Sequence, residues 1–415
     1  MVLIKIEEKR NLIYMWRMKR MIETRAFKSK SEIIERKMPR INGNNQYKGK
    51  SIVAIDGGYS AVKGVSPNKV FIFPSYAKRA PRDLETVGKV RPYDIQFKNN
   101  VTGEVWLVGE AAETLMDQAD INSTTDASLY TRYRYDSDVF KVIMSTGLAL
   151  GLMGTGADND IYVQTGLPAT YISDKGKLIK SLAGDYDISI KVGNNDWQTF
   201  QFNLDESRID VIMQPQGTLC ATAYENGEVS QSGKKILTSN SIILDIGFGT
   251  EDIFAIRSGY KTAPKTYSDT GMKSVFEAVI KELANICPAE YKIFEFQNYL
   301  ENGEAPYFDP DAFKMDYIQF ADILEAKNRE LCEKSIRRLM QEYGNLIDYK
   351  YLIVTGGTGE SRFEQIKQML SGLPNLEVLP GNINCSDLAF SYSNVIGYYM
   401  LRHAKLSAEI RKMGA

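Results

Sequence analysis

At 415 residues the chain is longer than a single hydrophobic core sustains, so two or more lobes with a cleft between them are expected. With 43% apolar and 25% charged residues and a formal net charge of −1, it is a globular rather than a disordered composition, and no apolar run approaches the ~20 residues of a membrane span. The single histidine, His403, excludes a multi-histidine metal centre, and four scattered cysteines without C-x-x-C spacing (Cys220, Cys287, Cys332, Cys385) speak against a zinc site or a disulfide framework. Chemistry must then rest on carboxylates, amides, backbone donors and a metal ion, the equipment of phosphoryl transfer.

Residues 1–50 carry 14 Lys/Arg against 5 Asp/Glu, a balance of +9 that leaves −10 for the rest of the chain. Leu12, Ile13, Met15, Trp16, Met18, Met21 and Ile22 have the spacing of a basic amphipathic helix, and 39–50 reads as a linker. The segment is expected to be an appended arm, either a solvated extension without a role or one suited to nucleic acid, an anionic membrane surface or a neighbouring subunit. Its first residues are charged at once and lack the apolar core of a secretion signal, so a cytoplasmic location is expected. From Ser51 onward strands alternate with helices: 51–55, 70–73, 161–164, 209–213, 242–244, 351–354 and 376–379 read as strands. Segments 139–153, 174–183, 217–224, 272–285, 318–343 and 387–408 read as helices. The pattern is that of an α/β protein, with the Thr/Tyr-rich stretch 116–134 as a peripheral loop.

Two short segments stand out because they repeat. The apolar run 51–55 ends in Asp56, followed by Gly58, Tyr59 and Ser60; the run 242–244 ends in Asp245, followed by Gly247, Phe248, Gly249 and Thr250. Each predicts a β-hairpin whose tip faces a ligand. Glycine there permits positive φ and close approach of backbone N–H groups to a phosphate, while the aspartate can hold Mg²⁺ through water. One such tip reads as an ordinary turn. Two copies indicate one nucleotide held between two halves, although neither has the spacing of a Walker A motif or a dinucleotide fingerprint.

In chain order the motifs are Asp56-x-Gly58-x-x-x-x-Lys63, Gly166-Leu167-Pro168, Gln214-Pro215-Gln216-Gly217, Asp245-x-Gly247-x-Gly249-Thr250, Thr355-Gly356-Gly357-Thr358-Gly359-Glu360 and Asn394-Val395-Ile396-Gly397. Over 51–406 this succession resembles the actin-like ATPase superfamily, and within it the bacterial plasmid-segregation actins of the ParM kind. The resemblance implies a two-lobed actin/hexokinase-type fold with a duplicated α/β core and an interlobe nucleotide cleft. Its domains would be a basic arm and linker (1–50), domain I (51–238), domain II (239–388) and a C-terminal helix (389–415) returning to domain I.

The resemblance also implies roles. Asp56 and Asp245 would hold hydrated Mg²⁺, and Lys63 would contact phosphate. Gln216 would position the attacking water, with Gln214 a competitor and a polar helix-entry residue as the alternative reading; an amide orients water but is a poor general base, so slow hydrolysis is expected. Gly356, Gly357 and Thr358 would cradle adenosine at a helix N-terminus, and Lys273 would reach the ribose. Tyr59 and Phe248 depart from the small residues usual at these tips and read equally well as packing residues. The implied activity is Mg-dependent hydrolysis of ATP or GTP, coupled to head-to-tail filaments that segregate plasmid DNA through a DNA-bound adaptor, with direct DNA contact expected only through the arm. A small-molecule kinase of the same superfold and a non-polymerising division regulator are the competing readings.

Overall fold

The computed structural model describes residues 24–44, 46, 48–81, 90–116, 132, 134–155 and 159–413. The helix expected over residues 12–22 and most of the 116–134 loop lie outside the described residues. Strands in the first half are β1 (Glu32–Glu35), β2 (Lys50–Gly57), β3 (Ala61–Val65), β4 (Lys69–Pro74), β5 (Ala77–Arg79), β6 (Ile95–Asn99), β7 (Val105–Val108), β8 (Asp160–Leu167), β9 (Gly184–Val192), β10 (Gln198–Leu204) and β11 (Ile209–Met213). They form a six-stranded sheet in the order β1-β4-β3-β2-β8-β11 and a five-stranded sheet in the order β10-β9-β6-β7-β5. After a small hairpin, β12 (Tyr224–Glu225) and β13 (Glu228–Val229), the second half brings β14 (Ser241–Ile246), β15 (Glu251–Arg257), β16 (Tyr260–Lys261), β17 (Lys265–Tyr267), β18 (Glu304–Asp309), β19 (Lys314–Gln319), β20 (Tyr351–Thr355) and β21 (Glu377–Pro380). Its main sheet runs β16-β15-β14-β20-β21, with β17 also paired to β15. The helices between them are α1 (Glu110–Leu115), α2 (Asp138–Leu152), α3 (Lys175–Leu182), α4 (Gln214–Ala223), α5 (Gln231–Thr238), α6 (Met272–Ala284), α7 (Ile293–Tyr299), α8 (Ala321–Glu342), α9 (Gly357–Met369) and α10 (Ser393–Met413). The chain thus has the mixed α/β, two-lobed architecture expected, with a hairpin at the centre of each main sheet.

Alternation of side chains explains why the central strands are apolar throughout. In β2, Val53 and Ile55 join one core with helix α2, while Ile52 and Ala54 join another with α10. In β14, Ile242, Leu244 and Ile246 face one way into the second lobe's core, and Ile243 faces Met213 and Leu219 of the first half. Helix α4 follows β11 directly, and α10 closes the chain against it. A Cβ at Gly397 would come within 1.7 Å of the Gly217 carbonyl oxygen, so these two helices cross backbone to backbone and α10 is pinned to the first lobe.

Two boundaries differ from expectation. Ile318 belongs to β19, and the long helix α8 starts only at Ala321. More consequentially, residues 24–44 are not a detached arm and linker: β1 pairs antiparallel with β4, Met38 and Ile41 are buried beside Ile52 and Val65, and the Tyr399 hydroxyl donates to the Pro39 carbonyl at 2.8 Å. The folded first lobe therefore begins upstream of Ser51, because a short strand with two apolar residues suffices when a free sheet edge is available to receive it. Among the described residues, no helix is long and apolar enough to cross a membrane.

Candidate functional site

The two predicted hairpins form, and they face each other across one cleft of about 550 Å³. In the first, β2 pairs with β3 so that Asp56 lies directly opposite Lys63. Asp56 is buried; its Oδ1 accepts from Gln214 Nε2 at 2.8 Å, and Lys63 Nζ stands 3.8 Å from its Oδ2. In the second, β14 pairs with β15 so that Asp245 lies directly opposite Asp252. Asp245 Oδ2 accepts from Asn394 Nδ2 at 2.6 Å, and Asn394 in turn accepts from the Thr218 hydroxyl at 2.7 Å. Burial pushes the Asp245 carboxyl up to about 7, with the Asp252 and Asp56 charges adding to the rise. Asp252 is pushed up to about 6, again chiefly by burial, although it accepts from Ala169 N (2.7 Å), Thr266 Oγ1 (2.5 Å) and Thr250 Oγ1 (2.8 Å).

The hairpin tips are held from behind. Arg134 donates to the carbonyls of Gly57 and Gly58 and lies over the Tyr59 ring at 4.4 Å, a stacking that burial strengthens relative to an exposed pair. The Tyr59 ring also meets the second tip: a Cβ at Gly249 would fall 2.6 Å from Tyr59 Cδ2. Phe248 packs edge-on to Phe276 at 5.9 Å, so both aromatic departures are packing residues as well as cleft-lining ones. The Thr358 hydroxyl donates to the Gly247 carbonyl at 2.8 Å, tying the loop after β20 to the second tip. That loop turns through Gly356 at φ 84°, where a Cβ would meet the Ile246 carbonyl at 2.3 Å, and helix α9 starts at once. Gly356 is the loop position that needs positive φ; Gly58, Gly247 and Gly249 are not left-handed, so in the tips glycine serves close approach rather than turn geometry.

Of the predicted site residues, Asp56, Gly58, Tyr59, Ser60, Lys63, Asp245, Gly247, Phe248, Gly249, Thr250, Gly356, Gly357 and Thr358 line the cleft. Two do not. Gln216 Oε1 accepts from the Met213 N–H at 3.1 Å and so caps its own helix, whereas Gln214 lines the cleft. Lys273 turns toward Glu277 (3.6 Å), and its neighbour Met272 lines the cleft instead. Three roles in or behind the cleft escaped the sequence reading. Asp252 stands seven residues after Asp245, the same interval that separates Lys63 from Asp56, and that interval was the available signal. Arg134 ends a polar stretch and had no comparable signal. Asn394 opens the last of the sequence motifs, but its partner Asp245 is remote in sequence, so nothing local tells what its amide reaches.

The cleft chemistry fits a divalent cation. Asp245 and Asp252 are buried carboxylates whose hydrogen-bond partners, Asn394, Ala169, Thr250 and Thr266, are all neutral. Among the described residues no three Asp, Glu, His or Cys side chains converge to hold an ion directly.

Residues 54–217 match the family model for the N-terminal domain of actin-like proteins. No curated protein matches the chain in sequence. Among solved structures, a non-polymerisable quadruple mutant of pCBH ParM is similar at 20% identity and a TM-score of 0.64, over 85% of this chain and 99% of that one. A 15-stranded ParM filament from Clostridium botulinum gives 20% identity and 0.63 over 85% and 98%. The ADP complex of Ta0583, an archaeal actin homologue, gives 15% and 0.56 over 84% and 97%. Residues 54–217 thus match an actin-like N-terminal domain, and across both lobes the fold is similar to that of ParM.

Proposed function

We propose that this protein is a Mg-dependent nucleoside triphosphatase, binding ATP or GTP in the interlobe cleft and polymerising head to tail into filaments that segregate plasmid or similar DNA. The observation that supports it best is the pair of Asp-ended hairpins from opposite lobes facing one cleft that the Gly356 loop also lines. Mg²⁺, when bound, supplies charge compensation for the transferring phosphoryl group. Asp56 and Asp245 hold its water shell, Lys63 offers a cation to the phosphates, and the backbone of both tips donates to them. Gln214, fixed by its bond to Asp56, is the amide placed to orient the attacking water. Gly356, Gly357 and Thr358, at the start of α9, take the adenosine side. Because a ligand touching both tips ties the lobes together, nucleotide would favour one lobe orientation, and hydrolysis would relax it.

Fold similarity to a filament-forming protein supports self-association through a heterologous contact that does not close. Filament growth against a DNA-bound adaptor would then move DNA. High-speed pelleting with MgATP, MgGTP or no nucleotide tests the reading. Sedimentation that appears with nucleotide and reverses as phosphate is released is expected. A chain that stays in the supernatant and consumes nucleotide only when a small hydroxylated substrate is added would replace it with the kinase reading.

A further inference from the structure

The cleft has a wall that neither hairpin supplies. The first main sheet continues past β4 into β1, and the register runs Asp56, Lys63, Ile72, Glu32 across β2, β3, β4 and β1. All four residues line the cleft, and the segment just upstream, 26–31, lines it as well. That segment then leaves the first lobe. The buried Thr24 hydroxyl donates to the Leu300 carbonyl at 2.8 Å, Arg25 Nε donates to the Glu301 carbonyl at 2.6 Å, and Lys30 Nζ lies 3.7 Å from Glu301 Oε2. Phe27 packs against the second lobe's aromatic core. On the other side Ser31 N–H donates to Glu110 of the first lobe, and β1 is stitched to β4.

We propose that residues 24–35 are a cis-acting strap that forms a third wall of the cleft, and that its grip on the second lobe must open before the cleft ligand exchanges. The ligand's identity rests on the proposed function; the closure rests only on the contacts above. A strap of this kind couples lobe opening to a segment that can be pulled from outside the cleft, and it slows exchange without touching the hairpins.

The test is the variant Thr24→Ala/Arg25→Ala in the full chain, which removes the grip on Leu300 and Glu301 while leaving β1 and Phe27 in place. Release of a prebound fluorescent MgATP analogue, chased with unlabelled MgATP, should be about tenfold faster, as expected for losing one buried and one charged hydrogen bond. Lys30→Ala, an exposed pair, should give about a twofold change in the same direction and keeps the test open if the double variant does not fold. In the absence of nucleotide, amides of 56–61 and 247–250 should exchange with solvent faster in the variants than in the parent. A parent chain that binds no nucleotide but shows this exchange difference would remove the nucleotide reading and keep the strap. Unchanged release and unchanged exchange in folded variants would overturn the strap.

Discussion

The two hairpins share a backbone plan and oppose each other in charge. Each ends its first strand in an aspartate, and each aspartate receives one side-chain amide, from Gln214 on Asp56 and from Asn394 on Asp245. Opposite Asp56 stands Lys63; at the same register opposite Asp245 stands Asp252. The first hairpin therefore carries its own counter-charge, and Arg134 adds another behind the tip. The second has a like-charged pair held by neutral donors, and burial raises both carboxyls. Duplication of a loop thus need not duplicate its chemistry. The first copy carries a cation beside its aspartate, while the second carries two carboxyls that burial and nearby negative charge hold above the usual range.

The largest expected effect breaks the second hairpin. Asp245→Ala should lower Mg-nucleotide turnover by about a thousandfold or more, because the ion loses its anchor and the phosphoryl group its compensation. Phosphate release under saturating MgATP measures this, and full activity would sink the assignment of the site. In the first hairpin, Lys63→Ala should weaken MgATP binding by about a hundredfold, the scale of removing a charge-assisted hydrogen bond from a partly buried site. Titration of a fluorescent analogue reads it. If the two variants behaved alike in binding and in turnover, the division of labour between the hairpins would be wrong.

Parts of this contrast were legible in the sequence. The hairpins could be read because an apolar strand that must be buried on both faces ends abruptly in aspartate and glycine, a pattern that local chemistry alone dictates. Asp252 was hidden because Glu251-Asp252 reads as the polar start of a strand; only cross-strand register turns it into a partner of Asp245. The strand β1 was hidden for a different reason. Glu32-Ile33-Ile34-Glu35 is short and lies in a basic stretch, and its pairing depends on the free edge of β4 far along the chain. The two glutamines lie one on each side of Pro215 at the start of α4, where a composition argument has no means of telling which side chain folds back on the helix and which faces the cleft.

Charge asymmetry also fixes a pH dependence. A carboxyl ordinarily titrates near 3.8, and Asp252 and Asp245 are raised to about 6 and about 7 in the folded chain. Between those values the folded state holds protons that the unfolded state has released, so this contribution to stability is complete below about pH 3.8 and is lost as pH rises through about 6 and about 7. Without nucleotide, unfolding free energy should fall by on the order of 4 kcal/mol from this source between pH 5 and 8, and Asp245→Asn/Asp252→Asn should flatten the slope. Addition of Mg-nucleotide should restore stability most at the high-pH end, where the carboxylates are ionised and ready to hold the ion's water. Denaturant titrations at several pH values, with and without MgATP, would show whether the loss has this sign.

The smallest effects separate the two glutamines at the start of α4. Gln214 Nε2 reaches Asp56 and the side chain faces the cleft, so Gln214→Ala should leave nucleotide affinity nearly unchanged and slow turnover by about tenfold. Gln216 Oε1 instead receives the Met213 N–H at the start of the helix. Gln216→Ala should therefore cost about 1 kcal/mol of stability, the scale of a missing helix cap, with turnover at saturating nucleotide close to that of the parent. The pair is informative because both substitutions delete the same chemical group two residues apart. If Gln216→Ala slowed hydrolysis and Gln214→Ala did not, the helix start would have to rearrange when nucleotide enters, handing the water-orienting role from the residue that lines the cleft to the one that caps the helix.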